Sequence, residues 1–222
     1  MVPNKQILPP LKQAFLLSVL QEAYYVTPVI LATFLRLYKL NNRPVHFDEG
    51  GGHAIGARDL YNHGRYIYNP DFHGPFLYHI TALSFYFFGM SDISLRLMEA
   101  LFGIGTVVVL FPLRKYFSKM SFLFLSLSIA ISPSLVYYSR FAVHDSFFVF
   151  FSMASIVSLF LYDKTKKNIY AYLFSINLAF LFTVKENAYI LLATLGIYFV
   201  LEFLFSLKDG KKKISEKIRK NI

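Results

Sequence analysis

Six apolar runs, at about 14–36, 94–113, 120–138, 146–162, 169–184 and 188–207, set the organisation of this chain. Repeated runs near the length of a membrane span, separated by short polar breaks, predict an all-α polytopic membrane protein rather than a soluble core. A seventh run, about 75–90, is shorter. It opens on Gly74-Pro75 and carries His79, Thr81 and Ser84. The stretch before it, about 37–74, reads as a long outer loop. Within that loop Ala54, Ala57 and Leu60 share one helical face and no proline follows Pro44 up to Tyr61, so a short helix is expected there. Gly50-Gly51-Gly52 permits a flexible or closely packed entry to it, and Asn69-Pro70-Asp71-Phe72-His73-Gly74-Pro75 is turn-forming.

Basic residues decide how the runs thread. If 75–90 does not cross, the loops holding Arg114, Lys115 and Lys119, then Lys164, Lys166 and Lys167, and the tail from Lys208 to Lys220 all fall on the N-terminal side. The opposite loops carry one basic residue each, Arg140 and Lys185. The positive-inside rule therefore favours about six transmembrane helices, with 75–90 lying in the outer interface and both termini cytoplasmic in a multi-pass cell-membrane protein. Arg36, Lys39 and Arg43 run against the rule in either arrangement. The expected division is one transmembrane module over 1–207, its outer loop with interfacial helices at about 37–93, and a basic cytoplasmic tail at 208–222.

Composition sharpens this picture. The chain has 222 residues, a net charge of +10, 25 Phe, 16 Tyr and no Cys or Trp. Tyr24-Tyr25, Tyr137-Tyr138 and Tyr189 sit near expected helix ends, as interfacial anchors do. The missing cysteines exclude disulfides and thiolate metal sites. Much of the positive charge lies in the tail, which reads as a contact with anionic membrane lipid and not with nucleic acid. No small-residue cleavage site closely follows the first run, so that helix is expected to stay uncleaved.

Candidate chemistry gathers at the edges of the runs. Asp48-Glu49 stands where the first run leaves the membrane, and carboxylates so placed are costly unless they have a role. Such an acid can deprotonate an incoming hydroxyl; the plainer reading is a solvated loop acid. His46, His53, His63, His73 and His79 fall in or just after the same loop, and His144 adjoins Asp145 at another edge. Arg140 could hold a phosphate bidentately. Asp145 could orient a substrate or cap the fourth run. Lys185-Glu186-Asn187 interrupts two runs: Lys185 could face a phosphate with Glu186 beside it, or the pair could form a tight turn of snorkelling charges. Arg96 and Glu99, three apart, read as a structural ion pair. His46, Asp48, Glu49 and His53 could offer a divalent metal nitrogen and oxygen ligands; no tight ligand signature is present, and the sequence specifies no other cofactor.

The order of these motifs is informative. Leu35-Arg36-Leu37-Tyr38-Lys39-Leu40, Phe47-Asp48-Glu49, His73-Gly74-Pro75-Phe76-Leu77-Tyr78, Ser94-Leu95-Arg96-Leu97, Tyr137-Tyr138-Ser139-Arg140 with Asp145, and Val184-Lys185-Glu186-Asn187 follow one another over about residues 30–190. The set resembles the protein-mannosyltransferase-like branch of the GT-C membrane glycosyltransferases, closest to an archaeal flippase-activity-associated group. The resemblance implies a GT-C-like N-terminal module with interfacial helices in the first outer loop. It also implies a polyprenyl-phosphate sugar donor and a catalytic acid matched by Asp48, with Glu49 as its neighbour. Asp145 matches a second acidic position, and Arg140 and Lys185 fall near the lipid phosphate. His53, His73 and Glu186 join Arg140, Asp145 and Lys185 as expected substrate-binding residues. Members of this branch are usually longer, so a separate subunit supplying further spans is one expectation. The function expected is transfer of a sugar to an acceptor hydroxyl on the outer face. The alternative is a lipid-linked-glycan binding or flippase-assisting subunit without chemistry.

Overall fold

The computed structural model describes the backbone of residues 10–220 and the side chains of 23–207. The side chains of the basic tail and of Glu22 lie outside the described residues. All regular structure within them is helical: α1 (Pro10–Leu37), α2 (Ala54–His63), α3 (Phe76–Phe88), α4 (Asp92–Val108), α5 (Lys119–Ile131), α6 (Pro133–Tyr138), α7 (Asp145–Thr165), α8 (Asn168–Val184) and α9 (Asn187–Lys220). A π-type turn at Glu49–His53 leads into α2, and 3-10 turns occupy Pro70–Phe72 and Phe111–Lys115.

Three stretches are long and apolar enough to cross a membrane: Asp92–Lys115, Asp145–Thr165 and Asn187–Leu207. Ala23–Leu37, Phe76–Phe88, Lys119–Ile131 and Asn168–Val184 are shorter apolar helices. One expected run is divided. The helix anticipated over 120–138 stops at Ile131 and restarts at Pro133. Pro133 has no N–H to donate and forces Ser132 out of the helical region, to φ −51°, ψ 120°. The carbonyls this break frees are capped from outside. Arg36 donates to Ala130 O at 2.9 Å and Ile129 O at 3.4 Å. Close approach at that point depends on small residues, since a Cβ on Gly103 would stand 2.6 Å from Ser139 Cβ and 2.8 Å from Arg36 Nε.

The helix expected in the outer loop is α2, with Ala57 fully buried and Ala54 and Leu60 half-buried beside it. It packs on α3, and α3 packs on α4. The largest core joins α2, α3, α7, α8 and the start of α9 through Ala57, Leu77, Tyr78, Phe85, Phe147, Phe151, Leu181, Val184 and Ala188. Edge-to-face rings hold its centre: Phe76 lies 5.1 Å from Phe147 and 5.2 Å from Phe151, and Phe102 lies 4.9 Å from Phe147. This core sits beneath the loops that carry the polar residues.

Candidate functional site

Four chain segments meet above that core: the loop entering the π-turn, the turn at Pro70–Phe72, the loop between α6 and α7, and the junction of α8 and α9. The entering loop is fixed by Glu49, which is fully buried. Arg96 grips it in a fork, Nε to Oε1 at 2.7 Å and Nη2 to Oε2 at 2.7 Å. The remaining guanidinium nitrogen donates to Leu40 O at 3.1 Å. The Ala142 N–H donates to Glu49 Oε1 at 3.0 Å and the His46 N–H to Oε2 at 3.3 Å. Burial pushes this carboxyl up, yet the Arg96 hydrogen bonds and the two backbone donors outweigh it and hold Glu49 below its ordinary value. The expected pairing of Arg96 with Glu99 is therefore corrected. Glu49 meets the guanidinium edge bidentately and brings two further segments into the contact, which a carboxylate one turn along the same helix cannot do. Both Glu99 oxygens are buried without a partner.

The clamp on Glu49 presents its neighbour. Asp48 is exposed and lines a cleft of ≈ 380 Å³ together with Gly51, His53, Asp71, His73, His144, Asp145 and Lys185. The Asp48 N–H donates to His46 Nδ1 at 3.2 Å. That nitrogen therefore carries a lone pair, and the 3.7 Å approach of Asp48 Oδ2 to it is not an ion pair. Across the cleft Lys185 Nζ donates to Asp145 Oδ1 at 3.2 Å. The lysine side chain is 19% exposed and the aspartate 40%.

Three imidazoles form one wall. His144 stands 4.8 Å from His53 and 5.3 Å from His73, ring centre to ring centre, both edge-to-face. His53 Nδ1 lies 3.0 Å from Tyr78 Oη, and that hydroxyl donates to Phe72 O at 3.0 Å. Its single hydrogen being committed, the hydroxyl accepts from His53, so Nδ1 carries the proton and Nε2 the lone pair. His144 Nε2 faces Gly74 O at 3.1 Å and must be the protonated nitrogen of that ring. Burial, first of all, lowers His53 to about 4 and His144 to about 3, so both are neutral near pH 7.

His73 donates Nδ1–H to Glu186 Oε2 at 2.8 Å. Burial would raise Glu186; its own backbone N–H and the His73 bond prevail and lower it. The backbone of His73 is left-handed, φ 61°, ψ −157°, a conformation costing about 1–3 kcal/mol in a non-glycine residue. Gly74 secures it: its N–H donates to Val184 O at 3.1 Å, and a Cβ there would stand 2.1 Å from Thr183 O.

Of the residues singled out from sequence, Asp48, His53, His73, Asp145 and Lys185 line this cleft, and Glu186 is tied to it through His73. Glu49 and Arg140 do not line it. Arg140 is buried and donates to Leu35 O, Tyr38 O and Lys39 O, capping the carbonyl end of α1. Asp71, His144 and Tyr78 were not assigned to the site from sequence. Only His144 carried a sign, its place beside Asp145 at a helix start. Among the described residues no three His, Asp or Glu side chains converge as a metal ion requires.

Long apolar helices together with a cleft lined by carboxylate and ammonium groups mark an integral membrane protein with a polar site. The chain belongs to the dolichyl-phosphate-mannose-protein mannosyltransferase family, whose model matches residues 57–219. That stretch includes His73, Arg140, Asp145, Lys185 and Glu186, and Asp48, Glu49 and His53 precede it. No curated protein and no solved structure matches the chain.

Proposed function

We propose that this protein is a membrane mannosyltransferase that moves mannose from a polyprenyl phosphate to an acceptor hydroxyl, with the cleft as its active site. The observation that carries the reading is the placement of Asp48, exposed in the cleft that Lys185 also lines and next in sequence to the buried Glu49–Arg96 clamp. Asp48 removes the proton of the acceptor hydroxyl. The oxygen attacks the anomeric carbon, the bond from that carbon to the phosphate oxygen breaks, and the lipid phosphate leaves with the electron pair. Lys185 balances the negative charge on the departing phosphate, while Asp145 fixes the ammonium group. Arg140, engaged with α1 carbonyls, stabilises the scaffold. The motif order supports kinship with the archaeal flippase-activity-associated group.

We place the cleft on the outer face, with six spans and cytoplasmic termini; the basic loops at 114–119 and 164–167 support this threading. Cysteines introduced at positions 48, 145, 165 and 212 test it. An impermeant reagent labels 48 and 145 from outside, and labelling of 165 or 212 from outside reverses the threading.

The deciding experiment for the activity is transfer from polyprenyl-phosphate-mannose by the purified protein in liposomes. Asp48→Asn is expected to reduce transfer by about 10²–10⁴-fold while donor binding persists. Transfer unaffected by Asp48→Asn removes Asp48 as base. Donor binding without transfer under any acceptor points instead to a lipid-glycan binding subunit.

A further inference from the structure

Resting on the donor reading above and deepening it, we propose that the three-histidine wall is a hydroxyl-binding subsite, in which His144 Nδ1 accepts a hydrogen bond from a hydroxyl of the donor's sugar. His144 is 1% exposed and lines the cleft, and its Nδ1 is a buried polar atom with no partner in the protein. Its protonation is set by backbone. The opposite nitrogen faces the Gly74 carbonyl, and Gly74 is itself fixed by its bond to Val184 and by the lack of room for a Cβ. The ring cannot exchange tautomers without losing that bond, so Nδ1 keeps its lone pair. His53 shows the same arrangement reversed, its Nδ1–H spent on Tyr78 and its Nε2 left as an acceptor.

A neutral imidazole lone pair selects hydrogen-bond donors. A sugar hydroxyl satisfies it. An ionised phosphate oxygen, an acceptor only, does not. The cleft is thus divided by chemistry: the Lys185 ammonium suits the anionic phosphate, and the histidine wall suits the uncharged, polyhydroxylated sugar. A site whose buried polar atom needs a substrate hydroxyl rejects the analogue that lacks it. The wall therefore discriminates a sugar-bearing lipid phosphate from the bare lipid phosphate left after transfer, which favours product release.

Two substitutions separate this role from a structural one. In His144→Gln the terminal amide keeps a donor for Gly74 O and removes the acceptor at the δ position. In His144→Asn an acceptor remains at the δ position and the bond to Gly74 is lost. Binding is measured in nanodiscs with short-chain polyprenyl-phosphate-mannose and with the same polyprenyl phosphate lacking its sugar. His144→Gln is expected to cut the preference for the sugar-bearing lipid about tenfold, with the bare lipid bound as by wild type; His144→Asn is expected to retain more of that preference. In wild-type protein labelled with ¹⁵N-histidine, the His144 Nδ1 resonance is expected to move on addition of the mannosyl lipid and not of the bare lipid. This arm decides the matter even if a variant fails to fold. An unchanged preference in folded His144→Gln, or an Nδ1 resonance moved equally by both lipids or by neither, overturns the subsite. If wild type still transfers mannose in that case, the enzymatic reading stands without it. If wild type binds neither lipid, both fall.

Discussion

Asp48 and Glu49 are adjacent acids in opposite surroundings. Glu49 is sealed from solvent and its two oxygens accept four hydrogen bonds, two from Arg96 and one each from the Ala142 and His46 N–H groups, whereas Asp48 is exposed at the cleft rim. The contrast separates anchoring from chemistry. A loop of flexible glycines cannot hold a reactive carboxylate in place by local structure alone, so the neighbouring acid is used to lock the backbone. Because its charge is fully paired, Glu49 is poorly suited to exchange protons; the proposed base, Asp48, has no such partners.

The largest break in this comparison is at the clamp. Arg96→Met leaves Glu49 buried and unpaired and is expected to destabilise the protein by about 3–5 kcal/mol, read as a lower melting temperature in detergent. Adding Glu49→Gln should restore part of that loss, because no uncompensated charge then remains. Asp48→Asn should behave in the opposite way, with melting unchanged within about 0.5 kcal/mol and transfer lost. If both acids affect stability equally, the division between anchor and reactive group is wrong.

Arg140→Gln comes next in size. Removing hydrogen bonds to the α1 carbonyls should cost about 1–3 kcal/mol of stability while leaving affinity for polyprenyl phosphate at the wild-type value. Lys185→Gln should show the reverse, weakened binding of the phosphate with melting little changed. A loss of phosphate affinity in folded Arg140→Gln would return that arginine to the site.

Much of the fold was legible because hydrophobic runs report helices directly, and the loop helix showed itself in the spacing of Ala54, Ala57 and Leu60. The break at Pro133 was written in the chain as well, but an apolar run on both sides hid it. The rest depends on tertiary partners that leave no local trace. Arg36 and Arg140 resemble phosphate-binding or interfacial cations in sequence, yet their partners are backbone carbonyls of distant helices, and a carbonyl carries no side-chain signature. The partner of Arg96 was misread for a related reason: Glu99 lies nearby in sequence, while Glu49 arrives from another segment. His144 was visible beside Asp145, but its meaning depends on the Gly74 carbonyl and on the two rings it meets.

Per group and per pH unit, the smallest expected effect concerns acid. His53 and His144 are lowered from 6.5 to about 4 and about 3, chiefly by burial. Their unfolded forms thus take up protons at higher pH than their folded forms. The stability gained by keeping them neutral is fully present above pH 6.5 and is lost as pH falls from there toward 4 and 3. Each unit descended within that window costs up to about 1.4 kcal/mol per histidine. Melting measured from pH 7.5 to 5 should therefore hold down to about pH 6.5 and fall below it, and His53→Gln with His144→Gln should flatten that fall. A slope unchanged by the histidine substitutions would mean that the two rings take up protons alike in the folded and unfolded chain and are not held neutral by burial.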